Sequence, residues 1–359
     1  MAPSRNLTDP VQIGQGVDPE AGLKEPLFEN ITIPEHFGPV EVLIDEPKVR
    51  RFAFTQDDFN PWYFGHSPID RPIAPPAIVA NDLLQLFTTK YAPSRVVGLH
   101  TDEELWFNRP IYVGETLTLS GRYVKTMERR GQGCVVMDAE ARDRDGDIVV
   151  RHHGIEIMRT APGVVAGRSS APTTPDRRVT GEWDHGLPSV LLVGSDAVPG
   201  MRLAPLIKEI TFEQMAVFSR IGEFVTNIHN SLEYARSAGL ALPIVQGQQL
   251  VCHVSDLLAE RFGLPWFYGG WLNVKFLKPV AAFEKVVVSG VVREVEKWTN
   301  TDAKTDVDVW ISRADGSFAG VGWANCTIPT SRLTQANHGT GSVPLAPHDA
   351  GEAALLQRR

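Results

Sequence analysis

The sequence of 359 residues has few of the features that would cross-link the chain or load it with metal. It contains only three cysteines, Cys134, Cys252 and Cys326, an odd number at wide spacing. This is unlike a disulfide framework and typical of free thiols buried in a reducing compartment. No cysteines or histidines have the C-x-x-C or H-x-x-x-H spacing of a metal site, so we predict no metal and no other cofactor.

The chain also lacks long apolar runs and basic patches. No stretch of 18 apolar residues occurs, and the first residues, MAPSRNLTDP, lack the apolar region of a signal peptide. We therefore expect a soluble cytoplasmic protein without a membrane partner. The net charge of -8, with no basic stripe, argues against nucleic-acid binding. A local group of cations could still hold an anionic small molecule.

Two halves of the sequence repeat each other. The segment FNRPIYVGETLTLSGRYV, which starts at Phe107, matches FLKPVAAFEKVVVSGVV, which starts at Phe276, at a constant offset of 169 positions. The turn dipeptides Asp145-Gly146 and Asp315-Gly316 continue the match at an offset of 170. Turn residues that recur at matching positions over this length imply an internal duplication.

The halves share one order of predicted elements. Each has a short helical stretch (54–66 and 211–239), a longer apolar helix (75–90 and 246–262) and four strands. The strands are predicted at 98–107, 115–127, 133–144 and 147–158, and at 270–277, 284–295, 303–313 and 316–328. The predicted organisation is a tail (1–28), a first repeat (29–160), a Pro/Gly/Ser-rich linker (161–197), a second repeat (198–330) and a tail (331–359).

A long helix wrapped by an antiparallel sheet is the hotdog arrangement. The predicted fold class is therefore α+β, a double hotdog made of two fused repeats. A single hotdog leaves a sheet edge open, so the two repeats are expected to pair side by side.

Both halves carry altered forms of one motif, roughly G-D-x-N-P-x-H followed by five residues and a small residue. The first half has Asp58-Phe59-Asn60-Pro61-Trp62-Tyr63, with Tyr63 in the place of the histidine, and the segment Pro72 to Pro76 opens its long helix. The second half has Gly222-Glu223, then His229, then Ala235 after five residues. In these features the chain resembles the MaoC-like, or (R)-specific enoyl-CoA hydratase, family of double-hotdog acyl dehydratases.

The resemblance implies a catalytic second half and a degenerate first half that makes room for substrate. In the family, the backbone N–H of a glycine at the start of the central helix stabilises the oxyanion of the thioester. Gly247 holds this position in the second half, whereas the first half has Pro76, which lacks an N–H. By the same resemblance Glu223 is the base that activates water, His229 is the acid, and Asn227 or Thr226 orients the water or the carboxylate.

The second half also departs from the family pattern. Its carboxylate is Glu rather than Asp, one extra residue precedes His229, and the Asn-Pro pair is missing. Each motif residue has a structural alternative: Glu223 as a helix cap, Gly247 as a packing glycine and His229 as a hydrogen-bonded structural residue.

Further residues are candidates for substrate binding. Several of these also have a structural interpretation: hydrogen bonds within a loop for Asp58 and Asn60, packing for Tyr63, and solvated strand charges for Lys275 and Lys278. The cations Lys275 and Lys278, together with Arg236, would hold the phosphates of coenzyme A. The substrate-binding candidates are Asp58, Asn60, Tyr63, Asn227, Thr226, Gln246, Lys275 and Lys278.

Three functions remain open at this point. The first is a hydro-lyase that adds water to a 2-enoyl-CoA or removes it from a 3-hydroxyacyl-CoA. The second is a non-catalytic acyl-thioester binding protein of the same fold. The third is a thioesterase, or a dehydratase that acts on a carrier-bound or polyketide-like substrate. The expected partner is a small-molecule acyl thioester, and a homodimer is plausible. The acyl group is not specified by the sequence.

Overall fold

The structure is a computed structural model that carries side chains. It describes residues 20–69, 71–96, 98–129, 132–158, 178–194, 196–219, 227–297 and 302–329. Within these ranges no helix has both the length and the apolar character needed to cross a membrane. The three cysteines are free and buried, as predicted.

Ten strands form one continuous antiparallel sheet with the order β1-β3-β4-β5-β2-β7-β10-β9-β8-β6. The first five in the chain belong to the first repeat and the last five to the second. The strands are β1 (Glu35–Leu43), β2 (Leu99–Phe107), β3 (Thr116–Arg129), β4 (Gln132–Arg142), β5 (Ile148–Met158), β6 (Arg202–Glu209), β7 (Trp271–Phe276), β8 (Lys285–Lys297), β9 (Asp302–Arg313) and β10 (Phe318–Pro329).

The two repeats meet where β2 pairs with β7. The register runs from Asp102 opposite Lys275 to Trp106 opposite Trp271. This pairing removes one open edge from each repeat, and it confirms the prediction that the repeats lie side by side in a double hotdog.

Six α-helices accompany the sheet in the described residues. They are α1 (Glu46–Gln56), α2 (Ala80–Leu84), α3 (Phe212–Ser219), α4 (Leu232–Ser237), α5 (Gly247–Phe262) and α6 (Leu264–Gly269). Helix α5 is the buried central helix of the second repeat, and its apolar side chains Leu250, Val254 and Leu257 are at most 3% exposed. It ends at Gly263, whose positive φ of 62° stops the helix.

The first repeat has no matching long helix. The predicted helix over 75–90 is wrong: the chain makes a turn, then the short α2, then a 3-10 helix at Gln85–Thr89. Pro75 and Pro76 account for the late start of α2, because the residue before a proline is disfavoured in the α conformation, which keeps residues 74 and 75 out of a helix.

The helical stretch predicted at 54–66 also needs correction. It is the end of α1, a loop, and a 3-10 helix at Pro61–Phe64. Asp57 terminates α1 in the left-handed conformation, with a φ of 47°. In the second half, the stretch predicted at 211–239 is two helices, α3 and α4, and residues 220–226 lie outside the described residues.

The first strand of each repeat was missed. β1 and β6 are the two outermost strands of the sheet, and each contains a proline, Pro39 or Pro205. Each also has a register shift next to its proline, between Phe37 and Val40 in β1 and between Leu203 and Leu206 in β6. Proline is tolerated in a sheet only on edge strands and at bulges. A strand sequence that proline interrupts therefore fits the outermost positions of the sheet.

Helix α5 buries an ionisable cluster in the core. Burial raises the pKa of Asp256 to about 8, with Lys208 opposing and Glu260 adding to this effect. Burial and the nearby Asp256 raise the pKa of Asp58 to about 7. His253, predicted to be a satisfied core residue, is buried, yet neither ring nitrogen has a hydrogen-bond partner within the described part of the chain.

Both carboxyl groups are expected to make stability depend on pH. Their folded-state pKa values exceed the unfolded value of about 3.9, so the folded protein retains protons that the unfolded chain releases. Their contribution is fully present below about pH 4 and is lost as the pH rises towards about 8.

We therefore predict that Asp256→Asn raises the unfolding temperature above pH 8 by roughly 2 °C or more relative to the wild type. The gain should vanish below about pH 4, where the carboxyl group is neutral in both states. Thermal unfolding followed by circular dichroism across pH 4–9 would measure this. Asp147→Asn, at an exposed turn, is the matched control. An unchanged pH dependence in Asp256→Asn would contradict the prediction.

Candidate active site

A cleft lies between the two repeats. The second repeat contributes the segment 227–229 and the start of α5, and the first repeat contributes β2, β5 and the 3-10 helices around them. Its volume is about 1220 Å³, counting the space open to solvent at its mouth. The wall is mostly apolar, with polar groups gathered near α5. The apolar residues of the first repeat that line it include Leu84, Phe87, Val96, Leu99 and Ile157.

His229 is held in the wall of this cleft by backbone and side-chain contacts. The Oδ1 atom of Asn227 accepts a hydrogen bond from the backbone N–H of His229 at 2.8 Å. The backbone N–H of Asn227 in turn donates to Oδ1 of Asn230 at 2.8 Å. The ring Nδ1 of His229 lies 2.7 Å from the backbone oxygen of Ile244. Because a carbonyl oxygen can only accept, Nδ1 carries the proton.

The protonation state of His229 follows from this geometry. Burial lowers the pKa of His229 to about 4, and the hydrogen bond to Ile244 opposes that shift only in part. At neutral pH the ring is therefore neutral, with its hydrogen on Nδ1. Nε2 then has a free lone pair on the ring edge opposite Ile244, where it can accept a proton.

Gly247 is the first residue of α5 and lines the same cleft. The amide N–H groups of a first helical turn have no partner inside the helix, and the helix dipole places partial positive charge there. A Cβ atom on Gly247 would lie 3.1 Å from Cβ of His100 and 3.2 Å from the ring of Phe276. A side chain at this position would press against both neighbours, whereas glycine fits without a shift and is itself partly exposed in the cleft.

Gln246 anchors the start of α5 to the first repeat. Its Nε2 donates to Oδ1 of Asn81 at 2.9 Å, and Nδ2 of Asn81 donates to the backbone oxygen of Phe218 at 2.7 Å. Oε1 of Gln246 is buried without a hydrogen-bond partner within the described residues. Gln246 therefore lines the cleft and holds the start of α5 in place, while its Oε1 atom is left without a hydrogen bond in the described part of the chain.

The structure brings together five of the residues predicted from the sequence. His229, Gly247, Asn227, Gln246 and Lys278 all line the cleft. Lys278 is the exposed member of this set. Glu223 and Thr226 lie outside the described residues, so their predicted roles stay predictions.

Four other predicted binding residues do not line this cleft. Tyr63 is buried and donates from its hydroxyl to Oδ2 of Asp58 at 3.1 Å. Asn60 accepts from the N–H of Trp62 and caps the 3-10 helix that follows. The Nζ atom of Lys275 lies 3.7 Å from Asp102 and over the ring of Trp323. Local hydrogen bonds and packing account for all four.

Sequence reasoning missed a group of ionisable residues in the first repeat. Glu156 on β5 lines the cleft beside His100, its partner in the strand register. Burial raises the pKa of Glu156, although the charges of His100 and His152 oppose this. Glu103 alternates with Leu105 and Phe107 on the buried face of β2, a signal that the sequence did contain. His152 is buried and His153 is partly exposed, because adjacent side chains in a strand point to opposite faces of the sheet.

Residues 32–152 match a family model described as the FAS1-like dehydratase domain region. No curated protein matches the chain by sequence. Among solved structures, a MaoC-like dehydratase aligns with a TM-score of 0.64 and 16% identity, over 86% of this chain and 99% of its own. A MaoC domain protein dehydratase from Chloroflexus aurantiacus aligns with a TM-score of 0.62 and 12% identity, over 84% of this chain and 97% of its own.

A conserved protein from Mycobacterium tuberculosis that has a double-hotdog fold is also similar. It aligns with a TM-score of 0.58 and 14% identity, over 85% of this chain and 98% of its own. The chain therefore has the double-hotdog fold of these MaoC-like structures, which confirms the fold that the sequence predicted. The dehydratase-region match in the first repeat supports hydratase or dehydratase as the class of activity.

The packing around Gly247 leads to a stability prediction. Gly247→Ala should lower the free energy of unfolding by about 1–3 kcal/mol, because the new methyl group is forced against His100 and Phe276. Gly269→Ala is the matched control, since an added Cβ there meets nothing within 4 Å. Urea denaturation of both variants would test this. Equal stabilities would show that the cleft wall yields at no cost.

Proposed function

We propose that this protein is a hydro-lyase that adds water to a 2-enoyl thioester, or removes it from a 3-hydroxyacyl thioester. The observation that carries the proposal is that a neutral, backbone-anchored His229 and Gly247, the partly exposed first residue of α5, line one largely apolar cleft. A proton acceptor and an oxyanion donor facing one cavity are the two groups that this reaction needs.

The proposed chemistry starts with the lone pair on Nε2 of His229. In the hydration direction this nitrogen takes a proton from water as the water oxygen bonds to C3. The electron pair of the C2–C3 double bond moves towards the carbonyl, and the enolate oxygen accepts a hydrogen bond from the N–H of Gly247. The imidazolium then returns the proton to C2, so the atoms and charges balance within one cycle.

This assignment changes the role predicted for His229. The family resemblance implied that His229 is the acid and Glu223 the base, whereas burial lowers the pKa of His229 to about 4, which makes the ring a proton acceptor at neutral pH. Glu223 remains the predicted second carboxyl group of the site. Within the described residues, Glu156 is the carboxyl group that lines the cleft, and it is the alternative to be tested beside Glu223.

The shape of the cleft supports a bulky acyl chain and a coenzyme A thioester. Both repeats contribute apolar residues to the wall. The apolar part that the first repeat supplies lies where its central helix is reduced to α2 and a 3-10 helix. We propose that the acyl chain lies along this part, with the thioester at Gly247. Lys278, exposed and in the cleft lining, would contact the phosphates.

The experiment that tests the function is an absorbance assay for loss of the enoyl-thioester band, with 2-enoyl-CoAs of increasing bulk. His229→Ala should lower the rate by roughly 100-fold or more, because it removes the general base. His153→Gln, on the opposite face of β5 and paired with Asp138, is the histidine control and should keep full activity. Glu223→Gln and Glu156→Gln, run in parallel, identify the carboxyl group that matters.

Each of the other outcomes has a defined meaning. Full activity in His229→Ala would overturn the mechanism. Release of free thiol in place of hydration would identify a thioesterase. Binding of a saturated acyl-CoA without turnover of any enoyl thioester would identify a non-catalytic binding protein.

The protonation of His229 also predicts a pH profile. The value of kcat/KM should be flat with respect to this group above about pH 5 and should fall tenfold per unit below about pH 4, as protonation removes the lone pair. Initial rates at a low substrate concentration would measure this acidic decline of kcat/KM, with circular dichroism to confirm that the protein is folded at each pH. A limb centred near pH 6.5 instead would mean that burial does not suppress protonation of His229.

A further inference from the structure

The interior of the first repeat contains a charged cluster that the proposed chemistry does not use. Oε2 of Glu103 lies 2.9 Å from Nε2 of His100 and 3.0 Å from Nε2 of His152. The other carboxylate oxygen, Oε1, accepts a hydrogen bond from Nε2 of Gln248 at 3.0 Å. The side chain of Glu103 has no exposed surface.

Two local features of the backbone make this cluster possible. Residues three apart in a regular strand point to opposite faces, but the register of β2 against β5 shifts between His100 and Asp102. The shift brings His100 to the same face as Glu103. Gly154 on β5 provides the space, because a Cβ there would lie 3.0 Å from Cε1 of His152 and 3.1 Å from Oε2 of Glu103.

The carboxyl group of Glu103 is ionised at neutral pH. Burial alone would raise the pKa of Glu103, but the charge of His152 and the contact with His100 hold it at about 2. Burial would lower the pKa of His100, but Glu103 raises it, with smaller contributions from Glu156 and Asp102. A buried carboxylate of this kind is strongly destabilising without its partners, so the cluster holds its members in place together.

Two of the three partners of Glu103, Gln248 and His100, are neighbours of Gly247. Gln248 is the next residue of α5, so its bond to Glu103 ties the first helical turn to β2. His100 and Phe276 both lie close to where a Cβ atom of Gly247 would be, and their ring centroids are 5.3 Å apart. The position of the Gly247 amide thus depends on two side chains that one carboxylate holds.

We infer that Glu103 is a positioning residue, which through Gln248 and His100 fixes the first turn of α5 and the direction of the Gly247 N–H. The inference rests on the proposed function for the importance of that N–H, but the positioning itself can be measured without activity. Because the enolate exists only after water attacks, a misdirected donor weakens transition-state binding more than substrate binding.

The test uses the full chain with Glu103→Gln and Glu103→Asp. In Glu103→Gln, kcat for hydration of a 2-enoyl-CoA should fall roughly 10- to 100-fold with KM within about threefold. Glu103→Asp, which keeps the charge, should recover part of the loss. Glu140→Gln, a partly exposed glutamate paired with Arg142 on β4, is the control and should match the wild type.

Amide hydrogen exchange provides the readout that is independent of activity. Glu103→Gln should speed exchange in a peptide that spans residues 245–252 and leave β9 unchanged. If Glu103→Gln does not fold, Gln248→Ala removes the helix contact alone and should show the same two effects at smaller size.

The outcomes separate this inference from the proposed function. Wild-type kcat together with wild-type exchange in Glu103→Gln, or in Gln248→Ala where the first variant is unfolded, would overturn the positioning role. A wild-type protein that hydrates no enoyl thioester would refute the proposed function, and faster exchange in the variant would still establish the positioning role.

Discussion

The pairing of β2 with β7 is the interaction on which the rest of the molecule depends. It joins two five-stranded sheets into one, and side-chain bonds reinforce it on both strands: Nδ2 of Asn273 donates to Asp102 at 2.8 Å, and the indole of Trp271 donates to Glu104 at 2.7 Å. The same pairing brings β2, with its buried face, against the start of α5. The cleft exists because the first repeat supplies one wall and the second repeat supplies the helix start and His229.

The two repeats show how a duplicated structure becomes asymmetric through few changes. The aligned positions Pro76 and Gly247 have opposite consequences. Proline has no backbone N–H to donate, whereas the N–H of glycine is not covered by a side chain. The first repeat lost its long helix, and its remaining 3-10 segments line the apolar part of the cleft. Tyr63, in the place of a histidine, is now a buried partner of Asp58.

Much of this architecture could be predicted from the sequence, and the reasons for the failures are physical. The internal repeat, the eight inner strands and α5 follow from periodicity and turn residues, which are local. The edge strands β1 and β6 were hidden by Pro39 and Pro205, since proline interrupts the pattern that marks a strand. The helix predicted over residues 75–90 rested on the apolar run in that segment, whereas the two prolines at its start indicate that a helix begins later.

The site was less predictable than the fold. His229 and Gly247 could be identified from the sequence because the family motif specifies their spacing. The environment of their side chains and backbone could not be predicted in this way. The pKa of His229 depends on the backbone oxygen of Ile244 and on burial, neither of which has a sequence signature. His100 and Glu103 are brought to one face by an irregularity in strand register, and His152 reaches them from another strand. Tertiary contacts of this kind have no periodicity.

The ion cluster around Glu103 has a consequence for how the chain assembles. Its members come from β2, β5 and α5, and therefore from both repeats. A half-formed protein would leave the carboxylate buried with incomplete partners or expose it to water and lose the packing around it. Because, among the contacts of the Glu103 carboxylate in the described residues, only the bond from Gln248 crosses between the repeats, we expect a folded first repeat on its own to lose one partner of Glu103, which couples the folding of the two repeats.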